Sequence, residues 1–144
     1  MTGHELKNAL LLFFSGIGGF LMKFLGGWDA ALKCLLAFMV IDYITGVVCA
    51  IVFKKSTKTK NGGISSDAGF KGIVKKLCIL CLVCVAVCID NISKTDYIRN
   101  ITVLFFTSNE GLTILENVGN MGVSYPEPIK TALQIMKKTN KKDE

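Results

Sequence analysis

Asp42 is the residue whose surroundings most clearly predict a chemical role, because it lies near the centre of the apolar run 30 to 53. A hydrocarbon core about 30 Å thick needs roughly 20 helical residues, so this run is long enough to cross a membrane. A carboxylate in the middle of such a helix costs on the order of 2.5 to 3.5 kcal/mol on insertion scales. We therefore expect Asp42 to contact protein or water rather than lipid.

Two small residues follow Asp42 on the same predicted helix face. Gly46 and Ala50 come at four-residue steps after the acid. Such a face allows helix backbones to approach closely, both within one chain and between subunits. The sequence leaves both kinds of packing open for Asp42, Gly46 and Ala50.

A second polar group lies in the stretch 97 to 118. It contains Asn109 and Glu110, and Asn117 lies on nearly the same helix face as Glu110, two turns further on. These residues predict a polar stripe that contacts water or bridges subunits. The alternative is that Glu110 lies near the membrane interface and extends its side chain towards the headgroups.

No catalytic, cofactor or metal site is predicted, and we expect the protein not to be an enzyme. All six cysteines lie in apolar stretches, as reduced packing residues do, and thiolates of one helix alone cannot surround a tetrahedral metal. His4 is the only histidine and has no nucleophile or carboxylate near it in sequence. Gly16, Gly18 and Gly19 lack the Gly-Lys-Ser/Thr ending of a phosphate loop.

Composition indicates one small integral membrane domain covering residues 1 to 144. Hydrophobic residues make up 51% of the chain, and the mean hydropathy is +0.47. The net charge of +6 comes from lysines in short blocks beside apolar runs, which membrane topology explains better than nucleic-acid binding. The expected partner is therefore the lipid bilayer, and no nucleic-acid partner is predicted.

Four stretches are candidate membrane spans, at about 6 to 24, 30 to 53, 73 to 90 and 97 to 118. The segments on either side of the last two, at 54 to 72 and 126 to 144, are rich in lysine, which predicts that both are cytoplasmic. Two helices must then separate them. If the first stretch also crosses, both chain ends lie inside.

The ends of these stretches add three expectations. Lys54, Lys55, Lys75 and Lys76 are predicted to anchor the helices at the cytoplasmic interface. A cleaved signal peptide is disfavoured, because residues 1 to 27 lack a basic start and a small-residue cleavage site. The tail is predicted to form a short cytoplasmic amphipathic helix at the inner surface. The fold class is thus an all-α integral membrane protein with about four transmembrane helices.

Three sequence motifs, in their order and spacing, resemble those of the toxin-secretion and phage-lysis holin family. They are Asp42-x-x-x-Gly46, then Ser65-Ser66-x-x-Gly69-x-x-Gly72-x-x-Lys75-Lys76, and then Asn109-Glu110 with Ile114-Leu115-Glu116-Asn117, Gly122 and Tyr125-Pro126-x-Pro128. The resemblance covers about residues 30 to 138.

This resemblance implies a multi-pass protein of a phage or prophage that accumulates in the cytoplasmic membrane of a bacterial host. Holins of this kind form homo-oligomeric lesions through which an endolysin, or in some clostridia a large toxin, leaves the cell. No cofactor is expected for this protein. An alternative is a small proton-coupled transporter of the multidrug type, with Asp42 or Glu110 as the exchanging acid. A membrane scaffold that forms no pore is a third possibility.

Overall fold

The computed structural model describes residues 2–142 and the side chains of residues 2–138. Within those residues the chain forms helices and no strand, so the all-α prediction is confirmed. The helices are α1 (Gly3–Phe24), α2 (Ala30–Val48), α3 (Ser66–Ser93), α4 (Ile98–Asn120) and α5 (Glu127–Lys142), and a π-helical turn, Cys49–Phe53, prolongs α2.

Side-chain caps decide where the first three helices begin. Thr2 and Glu5 form a reciprocal capping box at the start of α1. Asp29 accepts a hydrogen bond from the backbone N–H of Leu32, over 2.9 Å, at the start of α2. Ser65 caps α3 in the same way. The serine of the motif that leads into α3 therefore has a local structural function.

Within the described residues, three helices are long and apolar enough to cross a membrane: α1, α2 together with its π-helical turn, and α3. The protein is thus an all-helical membrane protein. Helix α4 occupies nearly the whole of the fourth predicted span, 97 to 118, but its polar residues lower its hydropathy. The four-span topology with both ends inside stays a prediction.

The core is small and is built around α2 and α4, which pack against each other along much of their length. Leu32, Leu35 and Met39 of α2 pack there with Val83 of α3 and Val103 of α4. Helix α1 has no buried residue. The body of the molecule is therefore α2, α3 and α4, and α1 extends from it.

Helix α5 packs against α4. Its buried residue Leu133 lies over Gly111, where a Cβ atom would come within 2.7 Å of a Leu133 methyl carbon. The tail helix therefore uses part of its apolar face inside the molecule. Its position at the inner membrane surface stays a prediction.

Candidate functional site

Lys76 joins three helices through two ion pairs. Its ammonium nitrogen on α3 donates hydrogen bonds to Oδ2 of Asp42 on α2, over 2.7 Å, and to Oε2 of Glu110 on α4, over 2.5 Å. Asp42 is only 4% exposed and Glu110 only 8% exposed. The two acids predicted to be polar sites in the membrane thus meet at one lysine.

Asn117 completes this group from the side of α4. Its amide nitrogen donates to Oδ1 of Asp42, over 3.2 Å, and to the hydroxyl oxygen of Thr45, over 3.1 Å. We refer to Asp42, Lys76, Glu110 and Asn117 as the charged seam. Because the seam takes residues from α2, α3 and α4, it links all three helices of the body.

The charged seam contains two carboxyl groups and one ammonium group. With all three ionised, its formal charge is −1, since two negative charges face one positive charge. Burying charges is costly, and the cost is offset only by close partners such as those of Lys76. The seam consequently depends on Lys76 more than on either acid alone.

Gly46 and Ala50 contribute to packing inside the chain. A Cβ atom on Gly46 would lie 3.6 Å from the amide nitrogen of Asn117 and 3.6 Å from the ammonium of Lys58. Ala50, in the π-helical turn, is 7% exposed. Of the two kinds of packing that the sequence leaves open, the structure shows the one within the chain, and a role in assembly stays a prediction.

A lateral cleft of about 930 Å³ opens beside the charged seam, between α3 and the pair formed by α2 and α4. Asn109 lies in its wall, as do Asp42 and Glu110. Tyr43 also lines the cleft and contacts α3 where that helix has two glycines. A Cβ atom on Gly69 would lie 3.4 Å from the Tyr43 hydroxyl, and one on Gly72 would lie 3.8 Å from its ring.

A second polar group, at the opposite end of the body, was not predicted from the sequence. Arg99 of α4 is 7% exposed, and its guanidinium donates to the backbone oxygens of Leu25, over 2.7 Å, and Gly27, over 3.3 Å. It also forms an ion pair with Asp29. We refer to these contacts as the Arg99 clamp. They attach the turn between α1 and α2 to the start of α4.

The Arg99 clamp also has an electrostatic effect. The hydrogen bond from the Arg99 guanidinium lowers the pKa of the Asp29 carboxyl below its ordinary value. Asp90, at the end of α3, accepts hydrogen bonds from the backbone N–H groups of Ile98 and Arg99, over 3.1 and 2.8 Å. The acid thereby caps α4 and fixes the turn between α3 and α4.

The four lysines predicted to be interface anchors do not share one environment. Lys54, Lys55 and Lys75 are exposed. Lys76, by contrast, is directed into the charged seam, where its side chain is 17% exposed. The sequence indicated that Asp42 needs a partner, but the partner lies 34 residues away, and no local pattern identifies a contact of that range. An interfacial role for the four lysines stays a prediction.

The cysteines have mixed environments. Cys49 is buried and Cys84 packs against the core, whereas Cys78, Cys81 and Cys88 are exposed on α3. No group of three or more metal-ligating side chains is found in the described part of the chain.

Comparison with known proteins assigns this all-helical membrane protein to a family. The sequence profile of the bacteriophage holin family matches residues 19–138. An uncharacterised 14.9 kDa protein of Clostridium perfringens is 40% identical over 111 residues, 76% of this chain and 78% of its own. An uncharacterised protein of Listeria monocytogenes is 37% identical over 135 residues, 93% of this chain and 89% of its own.

A relative from a phage has an assigned function. The probable holin of Bacillus phage phi105 is 34% identical over 110 residues, 76% of each chain. No solved structure gives a significant match. The chain belongs to the bacteriophage holin family, as its resemblance to the toxin-secretion and phage-lysis holins predicts.

Proposed function

We propose that the protein is a holin that accumulates in the cytoplasmic membrane of a bacterial host, assembles with copies of itself and opens a lesion. An endolysin, or a large toxin, would leave the cell through that lesion. Membership of the bacteriophage holin family and the similarity to the probable holin of phage phi105 support this proposal.

The observation that carries the mechanism is the charged seam beside the lateral cleft. In the described structure Asp42, Lys76 and Glu110 satisfy one another while they are nearly shielded from the surroundings. A water-filled lesion needs polar groups on its wall, because water contacts every group that lines it. Moving α3 away from α2 and α4 would widen the cleft and present these charges to water. The same charged groups would then be paired with one another in the closed protein and solvated by water in the open lesion.

Helix α1 supports the assembly step. It is apolar and has no buried residue. A Cβ atom added at Gly16, Gly18 or Gly19 would have no neighbouring atom within 4 Å. Apart from Met22, which packs against the core, one molecule therefore leaves the helix free for lipid or for another copy. This surface is compatible with a homo-oligomer, which the lesion requires.

The test is inducible expression in bacteria with and without a cytoplasmic endolysin. A holin stops growth abruptly, admits a membrane-impermeant dye and, when the endolysin is present, lyses the culture. A proton-coupled exporter or a scaffold without a pore does none of these. Continued growth with dye exclusion, at normal amounts of protein in the membrane, would contradict the proposal.

The Asp42→Ala variant tests the charged seam in the same assay. It should reach the membrane, because removing the acid makes insertion easier. The onset of lysis should change, because Lys76 and Asn117 lose a partner. Asp67→Ala is the matched control, since Asp67 pairs with Lys71 on the exposed start of α3. Unchanged timing in Asp42→Ala would exclude a role for the seam in opening.

A further inference from the structure

The lateral cleft has a cationic end that the charged seam does not use. Lys58, Lys71 and Lys75 line this end, and all three are exposed. Lys71 pairs with Asp67 over 2.8 Å, but both side chains are 72% exposed, where an ion pair is weak. No ion pair of Lys58 or Lys75 is found among the described residues. This end of the cleft therefore carries positive charge that the protein leaves largely unneutralised.

The length of α3 allows its first turns, which carry Lys71 and Lys75, to extend beyond the hydrocarbon core. A helix of 28 residues is about 42 Å long, roughly 12 Å more than the hydrocarbon core. The Asp90 hydrogen bonds to the start of α4 fix one end of α3 at the turn of residues 94 to 97. In the predicted topology, where the lysine-rich loop is cytoplasmic, the surplus length lies at the other end, which contains Lys71 and Lys75.

Apart from the charged groups of the seam and from Tyr43, Asn109 and Thr113, the rest of the cleft wall is apolar. Below the lysines it is formed by Val74, Cys78, Ile79 and Leu82 of α3 and by Phe106 of α4. Lys71, Lys75, Cys78 and Leu82 recur at helical spacing, so cations and apolar side chains form one continuous strip. A ligand that fits this strip has an anionic end and a long apolar part.

We propose that the lateral cleft binds an anionic phospholipid of the cytoplasmic leaflet. Its phosphate contacts Lys71 and Lys75, and an acyl chain lies along Val74, Cys78 and Leu82. Basic pockets between membrane helices on the cytoplasmic side bind such headgroups. Helix α1 of a second copy suits the cleft less well, because Glu5 is its only acid. The lysine-rich tail of the chain would be repelled.

Binding is measured with the purified full-length protein by native mass spectrometry and by displacement of a fluorescent cardiolipin in detergent, with phosphatidylcholine as the neutral lipid. We expect cardiolipin to bind and phosphatidylcholine not to compete. The Lys71→Gln, Lys75→Gln double variant should bind cardiolipin about tenfold more weakly or worse, since both cations of the headgroup site are removed.

The matched control is the Lys137→Gln, Lys138→Gln double variant, which removes the same charge from α5, outside the cleft. We expect its affinity to change less than about twofold. An equal loss in both double variants would show that cardiolipin responds to overall charge and would overturn the proposal.

Cys78→Phe tests the apolar part of the site without changing charge. Cys78 is exposed in the cleft, so the larger side chain should fill it without disturbing the core, and an unchanged melting temperature verifies the fold. We expect cardiolipin binding to fall in this variant. Competition with inorganic phosphate distinguishes a site for a lipid from a site for a free anion. If Cys78→Phe binds cardiolipin normally, or if phosphate displaces the lipid fully, the cleft is not a phospholipid site.

Discussion

The ammonium nitrogen of Lys76 lies 2.7 Å from Oδ2 of Asp42, and this ion pair joins α3 to the middle of α2. Glu110 of α4 shares the same ammonium, so one cation serves two acids. In a membrane few other groups can compensate a charge. Lys76 is therefore more important for the stability of the seam than either acid alone.

The first prediction compares the loss of Lys76 with the loss of Glu110. Lys76→Met leaves Asp42 and Glu110 without a cation, and breaking a buried pair in this way costs about 3 to 5 kcal/mol. Glu110→Gln leaves one carboxylate and one ammonium, so its loss of stability should be clearly smaller. Thermal unfolding of the purified variants in one detergent measures both. Equal melting temperatures for the two variants would contradict the charge balance that we derive for the seam.

The second prediction concerns Gly46. Gly46→Leu places a large side chain where Asn117 and Lys58 lie within 3.6 Å of the Cβ position. Overpacking of this kind typically costs about 1 to 3 kcal/mol, so the melting temperature should fall. We also expect smaller oligomers on cross-linking and delayed lysis. Gly19→Leu is the control for the melting temperature alone, because no atom of the same chain lies within 4 Å of a Cβ atom there. If Gly46→Leu melts and cross-links like the unmodified protein, Gly46 faces lipid.

The third prediction concerns the Arg99 clamp. Gly26 and Gly27 both have positive φ, at 84° and 101°, but only at Gly26 would an added Cβ atom meet Arg99, whose Nε atom would lie 2.5 Å from it. Gly27→Ala therefore measures the backbone strain alone, about 1 to 2 kcal/mol. Gly26→Ala adds the displacement of a buried arginine and should cost about 1 to 3 kcal/mol more. Similar unfolding free energies for the two variants would show that the clamp contributes little.

The fourth prediction concerns topology and uses single cysteines in a variant that lacks the native six. With four spans and both ends inside, an impermeant thiol reagent added to intact cells should label a cysteine at Ser93. It should not reach Thr59 or Thr139 until the cells are opened. These positions follow from the lysine-rich segments at 54 to 76 and 130 to 142. Labelling of Thr139 in intact cells would mean that α4 does not cross the membrane.

The sequence by itself determined the class of the protein and its apolar helical stretches, although α3 begins at Ser66 rather than at residue 73. Apolar runs of membrane length and capping residues such as Asp29 and Ser65 act over a few neighbouring residues, so they can be read along the chain. The same holds for the requirement that Asp42 have a partner, because that requirement follows from its depth in one helix.

Tertiary structure decided which residues satisfy those requirements. Lys76 reads as an interface anchor in the sequence, yet α3 packs so that its ammonium reaches Asp42 and Glu110, each 34 residues away. Arg99 and Asp29 meet across 70 residues, and no periodicity in either helix indicates that contact. Such pairs depend on how helices are turned and placed against one another, and this arrangement is set by the packing of the whole body rather than by any one segment.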